Sequence, residues 1–164
     1  MLSVPLRTPR LVLRALDEGD LDELVRLNDD PLVLRFTGDG PVDRTGAAAV
    51  LRDRIRPQYA RGVGRLAVVR AADGVFLGWC GLRYDAQEDQ YDLGYRLHVA
   101  ARGHGYATES ALAVVADARE RLSGARIVGR VHPENVASQR VLERCGLRRL
   151  GDVAEGEPPF LTYG

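Results

Sequence analysis

"AARGHGYATESA", residues 100–111, decides how this chain reads. It sets Arg102-Gly103-His104-Gly105-Tyr106-Ala107 between an alternating apolar run and a long helical pattern. Two glycines in three residues cost backbone entropy on folding. A turn with unusual dihedrals explains them, and so does a loop whose amides must approach a ligand closely. A strand, a short glycine-bearing turn and a helix start also make an anion site. The first amides of a helix lack partners, and its dipole favours negative charge there. Two nucleotide-binding designs fail on their residues. A loop ending Gly-Lys-Ser/Thr needs a lysine, and the chain has none. The dinucleotide fingerprint needs a third glycine where this chain has Thr108, and it opens the first βαβ unit, whereas this loop lies past the midpoint.

Outward from the loop, periodicity sorts the elements. Toward the C-terminus, "ATESALAVVADARERL" repeats apolar residues at Ala111, Val115, Ala118 and Leu122, a helix buried along one stripe. "ARIVGRVH" (125–132) follows as a strand, then "PENVASQRVLERCG", a helix with Pro133 before it and Gly146 as its stop. "LRRLGDV" and "FLTY" close the chain as strands. Toward the N-terminus, "YDLGYRLHVA" (91–100) reads as a strand, preceded by "RLAVVRA" (65–71) and "VFLGWCGLRY" (75–84) joined by a hairpin signal, "ADG". "RLVLRAL" (10–16) alternates like a half-buried strand, and a helix follows with Asp17 or Asp20 as N-cap. "GDGPVDRTG" (38–46) is a loop before a second helix that Pro57 disturbs. An antiparallel meander followed by strand–helix–strand–helix–strand implies an α/β fold with helices on both faces of the sheet.

The composition narrows the function classes. At 164 residues, 45% apolar and 28% charged, the chain suits a single domain, 1–164, with a normal core. Its 23 acidic and 23 basic residues leave no net charge, which argues against a nucleic-acid partner. All the basic residues are arginine, which codon bias explains better than separate demands for guanidinium geometry. Cys80 and Cys145 sit in apolar contexts without metal-ligand spacing, so they read as core residues of a reducing compartment and no metal is expected. The start has no apolar leader-like run and no stretch approaches eighteen apolar residues, so the expected setting is cytoplasmic and away from the membrane.

"RGHGYA" matches the pattern Q/R-x-x-G-x-G/A of the GNAT superfamily, the acetyl-CoA-dependent N-acetyltransferases, and the resemblance extends further. "TPRLVLRALDEGDLDEL" is similar to the first strand and helix of the branch that acetylates ribosomal-protein N-termini (RimJ/RimL-like). "DLGYRLHVAARGHGYATESA" resembles its core strand and pyrophosphate loop, and "HPENVASQRVLERCGLRR" its later strand–helix–strand. Together these cover roughly residues 8 to 150. The resemblance implies a mixed, mostly antiparallel sheet flanked by helices, with acetyl-CoA as co-substrate. Arg102, Gly103, His104, Gly105, Tyr106, Ala107 and Thr108 would cradle its pyrophosphate through their amides. The backbone of Leu97 and Val99 would pair with the pantetheine arm, with Asn135 facing that arm and Ser138 one helical turn on. The branch often has Trp where this chain has Arg96, Pro where it has Val99, and a longer last hairpin.

The implied reaction is direct attack of an amine on the thioester in a ternary complex. An α-amino group with pKa near 8 costs only about 1.4 kcal/mol to deprotonate at pH 7, and a lysine-like amine about 4.6 kcal/mol. Asp92 is the candidate base, standing where the branch often has Glu; a shorter carboxylate would act through a water, and a solvated strand-edge acid is the alternative reading. Ser138 could give a proton to the leaving sulfur or bond back to its helix. His98 and His132 titrate in the useful range but could merely be packed. Glu109 suits the helix dipole and points away from phosphate. Arg140 and Arg144 read equally as 3′-phosphate ligands or a solvated face. Trp79, Tyr84 and Tyr95 read as core or edge aromatics. The partners expected are acetyl-CoA and an amine acceptor, with a homodimer left open. An acetyl-CoA-binding module without turnover is the rival function.

Overall fold

The computed structural model describes residues 4–152, 154 and 158–164. Seven strands form one sheet in chain order: β1 (Leu6–Arg7), β2 (Leu11–Ala15), β3 (Arg65–Arg70), β4 (Phe76–Asp85), β5 (Gln90–Leu97), β6 (Ile127–Val131) and β7 (Leu161–Tyr163). Every neighbouring pair is antiparallel except β5 with β6. Alternation decides which way each strand faces. Leu11 and Leu13, Leu66 and Val68, and Cys80 and Leu82 turn to one side, where α5 (Tyr106–Arg121) and α6 (Val136–Arg144) cover them. Ala67 and Trp79 turn to the other side, under α1 (Leu21–Asp29), α2 (Pro31–Leu34), α3 (Arg44–Val50) and α4 (Arg56–Ala60). Helices on both faces are as expected from the element order, and the mixed, mostly antiparallel sheet is as the family resemblance implied. Burial pushes the Cys80 thiol up to about 12, which fits an inert core residue.

Local chemistry sets the helix ends. Asp17 accepts from the Gly19 amide at 2.7 Å and caps a short turn, while Asp20 is buried against Arg14 at 2.7 Å. The cap therefore falls on Asp17, ahead of α1. Asp30 and Pro31 start the extra turn α2, which the sequence pattern hides because it is only four residues long. Pro57 cannot donate to the helix ladder, and the chain widens into a π turn over Leu51–Ile55 just before α4.

Two expected strands differ. The strand read as 91–100 ends at Leu97, and Val99–Ala101 forms a tight turn in which the Arg102 amide returns to the Val99 carbonyl at 3.0 Å. The chain must leave the sheet there to reach the start of α5, so turn hydrogen bonds override the β-propensity of Val99. "LRRLGDV" is not a regular strand. Arg148 and Leu150 bond to Gly164 and Thr162 beside β7, with a single bridge from Arg149 to Tyr163. Val153 lies outside the described residues.

One irregularity positions everything functional. β5 and β6 pair only at Tyr91–Ile127 and Asp92–Val128, after which β6 turns to β7 through residues 129–131. The Tyr91 amide donates to the Arg126 carbonyl at 2.8 Å. Peptide groups two residues apart point to the same edge, so those of Tyr95 and Leu97 face the gap without a strand partner.

Tyr59 of α4 fastens the other end of the sheet. Its hydroxyl donates to the Arg65 carbonyl at 2.5 Å and accepts from the Leu16 amide at 2.9 Å. Tyr59→Phe leaves both groups unsatisfied and should lower stability by about 1–3 kcal/mol. Urea unfolding with an unchanged m-value checks this; a midpoint equal to that of the unsubstituted protein would show that the two bonds contribute nothing.

Candidate active site

Where β5 and β6 part, the sheet opens into a cleft of about 790 Å³ reaching both faces. Its floor is β5, and alternation splits the chemistry between the faces: Asp92, Gly94 and Arg96 on the side of α1 to α4, Leu93, Tyr95 and Leu97 on the side of α5 and α6. Of the residues singled out in the sequence, Asp92, Leu97, Arg102, Gly103, Gly105, Tyr106, Ala107, Thr108, Asn135 and Ser138 all line it. Val99 does not; it lies in the turn beyond the strand, with its carbonyl already bonded. The two edge positions able to pair with an extended ligand are therefore Tyr95 and Leu97, a shift of two residues from Leu97 and Val99. His104 also stays out of the lining and stacks its ring on Tyr106.

The glycine loop satisfies both explanations of its composition. Gly103 and Gly105 adopt φ of +80° and +79°, a left-handed conformation that favours glycine. The first amide of α5 to find a helical acceptor is that of Glu109, which bonds to the Gly105 carbonyl at 3.0 Å. Among the described residues, the amides of 103 to 108 have no intramolecular acceptor. A Cβ built on Gly103 would meet nothing within 4 Å. Outward amides, open space above them and a sixteen-residue helix behind them fit a pyrophosphate.

The sequence hides what holds this loop. Arg10 donates through Nη1 to the His104 carbonyl at 2.8 Å and through Nε to Glu109 at 2.7 Å, and its guanidinium lies 4.7 Å from the Tyr106 ring centroid. Thr8 adds a hydroxyl to Glu109 at 2.6 Å. Glu109 thus turns toward β1 and β2, away from the free amides. Arg102 reaches the Leu32 carbonyl at 3.1 Å, tying the loop to α2.

Asp92 is held by Arg83 at 3.2 Å, with Arg130 and Asp85 nearby. Burial raises its pKa above the usual carboxylate range, against the two guanidiniums that lower it. On the opposite face Tyr95 donates to Ser138 Oγ at 2.7 Å, and burial pushes the Tyr95 pKa up to about 12. Tyr95, taken from sequence as core, thus belongs to the site, and Ser138 bonds to it rather than back to its helix. With Tyr95 donating, the Ser138 proton is directed elsewhere, into a hydrogen-bond chain. The Asn135 Oδ1 caps α6 by accepting from the Ser138 amide at 3.2 Å, so the Asn-x-x-Ser spacing is first a helix start.

The remaining candidates fall away or move. His98 Nε2 lies buried 3.5 Å from Glu23 Oε2 without a hydrogen bond, on the α1 side of β5 and outside the cleft. His132 does line the cleft, its ring 4.9 Å from that of Phe36 and its Nδ1 accepting from the Glu134 amide. Arg140 and Arg144 do not line it. Arg96, the departure from the expected Trp, donates to Asn28 at 2.7 Å and pairs with Asp39. Among the described residues, no group of three His, Cys, Asp or Glu side chains could hold a metal ion, and no helix is long and apolar enough to cross a membrane.

A pyrophosphate held on these amides would make two variants informative. Gly105→Val forces a β-branched residue to φ +79° and should weaken acetyl-CoA binding at least tenfold, about 1.4 kcal/mol. Arg10→Ala, at a residue that supports the loop without itself lining the cleft, should weaken it roughly threefold to tenfold by loosening the loop. Calorimetry on the folded variants checks both; affinity unchanged in both would return the glycines to a turn-only role.

Known proteins agree with this geometry. The acetyltransferase (GNAT) domain family matches residues 10–148. An acetyltransferase of Agrobacterium tumefaciens superposes with TM-score 0.83 at 29% identity, over 99% of this chain and 95% of that one. A RimL ribosomal L7/L12 α-N-protein acetyltransferase in complex with coenzyme A shares the fold, with TM-score 0.83 at 18% identity over 98% and 95% of the two chains. The uncharacterized N-acetyltransferase YnaD of Bacillus subtilis is 23% identical over 144 residues, 88% of this chain and 82% of that protein. The split sheet, the free-amide loop and the family match agree: the chain belongs to the GNAT superfamily of acetyl-CoA-dependent N-acetyltransferases.

Proposed function

We propose that this chain, acting as one acetyltransferase domain over residues 1–164, moves the acetyl group of acetyl-CoA to a primary amine by direct attack in a ternary complex. The acceptor is a protein N-terminus or a small amine. The observation that carries the reading is the cleft through the sheet, with free amides at one end, an unpaired strand edge along it and a half-buried carboxyl on the far face. Acetyl-CoA supplies the thioester. The amides of residues 103 to 108 hold its pyrophosphate, and the Tyr95 and Leu97 backbone together with Asn135 line the path of its pantetheine arm.

Asp92, reaching the amine through a water, accepts the proton that attack releases. Ser138, backed by the Tyr95 hydroxyl, gives a proton to the departing sulfur. The acyl carbon thereby loses its bond to sulfur and gains one to nitrogen, and one proton passes from amine to base while another passes to thiolate. Assignment to the RimJ/RimL-like branch rests on the sequence resemblance, and the RimL likeness supports it in fold. An acetyl-CoA-binding module without turnover is separated by one assay: thiol release from acetyl-CoA that depends on an added amine supports the enzyme, and tight binding without such release supports the module.

The raised pKa of Asp92 gives the proposed base a pH signature. Below that pKa the carboxyl is protonated and cannot accept, so kcat/KM should fall on the acid side of a limb lying above the ordinary Asp range. Asp92→Asn should cost up to about 10²-fold with a lysine-like amine, less with an α-amine of pKa near 8, and should remove the limb. Arg83→Gln deletes a group that lowers the pKa and should move the limb to higher pH. Pre-steady-state rates across pH check this. A loss flat in pH and equal for both amines would make Asp92 a positioning residue.

A further inference from the structure

Beside Asp92 the cleft carries more guanidinium than the mechanism uses. Arg65, Arg83, Arg96 and Arg130 all line it. Three of them are answered by carboxylates: Arg83 by Asp92 and Asp85, Arg130 by Asp85, and Arg96 by Asp39. Arg65 has no hydrogen-bond or ion-pair partner for its guanidinium among the described residues. Its contact is the Trp79 ring, 4.3 Å away, and Arg96 approaches the same ring at 5.8 Å. Burial, then the charge of Arg96, lowers the Arg65 pKa to about 10 against the attraction of Asp39, so the group stays charged at neutral pH.

The placement is built rather than accidental. Tyr59 fixes the Arg65 carbonyl at 2.5 Å, at the first residue of β3. Arg65 stands opposite Gly81, and Gly81 opposite Gly94; the Gly64 backbone closes onto Gly81, so that position admits no side chain. Trp79 lies across Gly94, within 3.4 Å of a Cβ built there. Asp92 is on the same face of β5, one two-residue step from Gly94. A cation and a candidate base thus line the same cleft, with the Trp79 ring lying over the glycine at the base's next position on that face.

Resting on the acetyltransferase reading above, we infer that the acceptor is an amine bearing a carboxylate, as in an amino acid or an acidic peptide, and that Arg65 receives the carboxylate while the amine lies toward Asp92. A planar guanidinium offers a carboxylate two parallel hydrogen bonds and keeps its charge in a site stripped of water. A polyamine would instead bring further positive charge beside a cation that no carboxylate contacts. Arg65 is thus a specificity-determining residue, and Trp79 holds its plane.

The test uses the full chain with saturating acetyl-CoA and acceptors differing in charge alone: Ser-Glu-amide against Ser-Gln-amide, with phosphoethanolamine, ethanolamine and spermidine alongside. Ser-Glu-amide should exceed Ser-Gln-amide in kcat/KM by about tenfold, with spermidine below both. Arg65→Gln should remove that preference through KM for the acidic acceptor, changing the neutral one less than about twofold. Arg65→Lys should keep part of it. Equal losses for both peptides would make Arg65 structural, and a preference for phosphoethanolamine over Ser-Glu-amide would make the anion a phosphate; either overturns the proposal. Calorimetry of N-acetyl-Ser-Glu-amide on the coenzyme A-loaded protein and its Arg65→Lys form reads the same site without turnover. Absence of turnover with every acceptor would sink the enzyme reading alone, while a peptide affinity unchanged by Arg65→Lys and Arg65→Gln would sink this inference alone.

Discussion

Two residues of parallel pairing decide this molecule. β5 and β6 are joined at Tyr91–Ile127 and Asp92–Val128, and then β6 is taken up by β7. An exposed strand edge normally invites association or is blunted by charge or proline. Here the edge at Tyr95 and Leu97 faces a cleft instead of bulk surface, and α5 starts at the end of that edge. Longer pairing would close the sheet and leave no passage between its faces. The strand edge, the helix N-terminus and the two faces of β5 therefore form one arrangement, in which a long ligand can lie between the strands with its charged end at the loop.

Alternation along β5 then divides the chemistry. Asp92 belongs to the face under α1 to α4, and Tyr95 with Ser138 to the face under α5 and α6. In the proposed reaction a proton is taken on one face and given on the other, so acceptor and coenzyme need never compete for the same volume. Desolvation works on both groups, raising the carboxyl toward a useful base and the phenol to about 12, where it stays a donor. The charge on the acceptor face comes from strands β3 to β6, each supplying one guanidinium to the lining.

The sequence made the loop legible because glycines at two left-handed positions, an alternating strand before them and an apolar stripe after them are all local signals. The element order was legible for the same reason. Tyr95 was not, since an aromatic in an alternating strand reads as core until its partner Ser138, 43 residues on, is known. Arg10 is more distant still, lying 94 residues from the carbonyl it holds and 99 from Glu109. Val99 misled because its β-propensity is local, while the need to leave the sheet for α5 is set by topology. Arg65 was invisible among 23 arginines, and only the carboxylates paired with its neighbours single it out.

We propose that acetyl-CoA binds along the unpaired edge of β5 with its pyrophosphate on the loop. Residue-resolved amide hydrogen exchange, with and without acetyl-CoA, tests it most directly. Binding there slows exchange at Tyr95, at Leu97 and across the amides of residues 103 to 108, and leaves Val99 unchanged. Saturating acetyl-CoA that leaves Tyr95, Leu97 and the loop amides exchanging as before would contradict it.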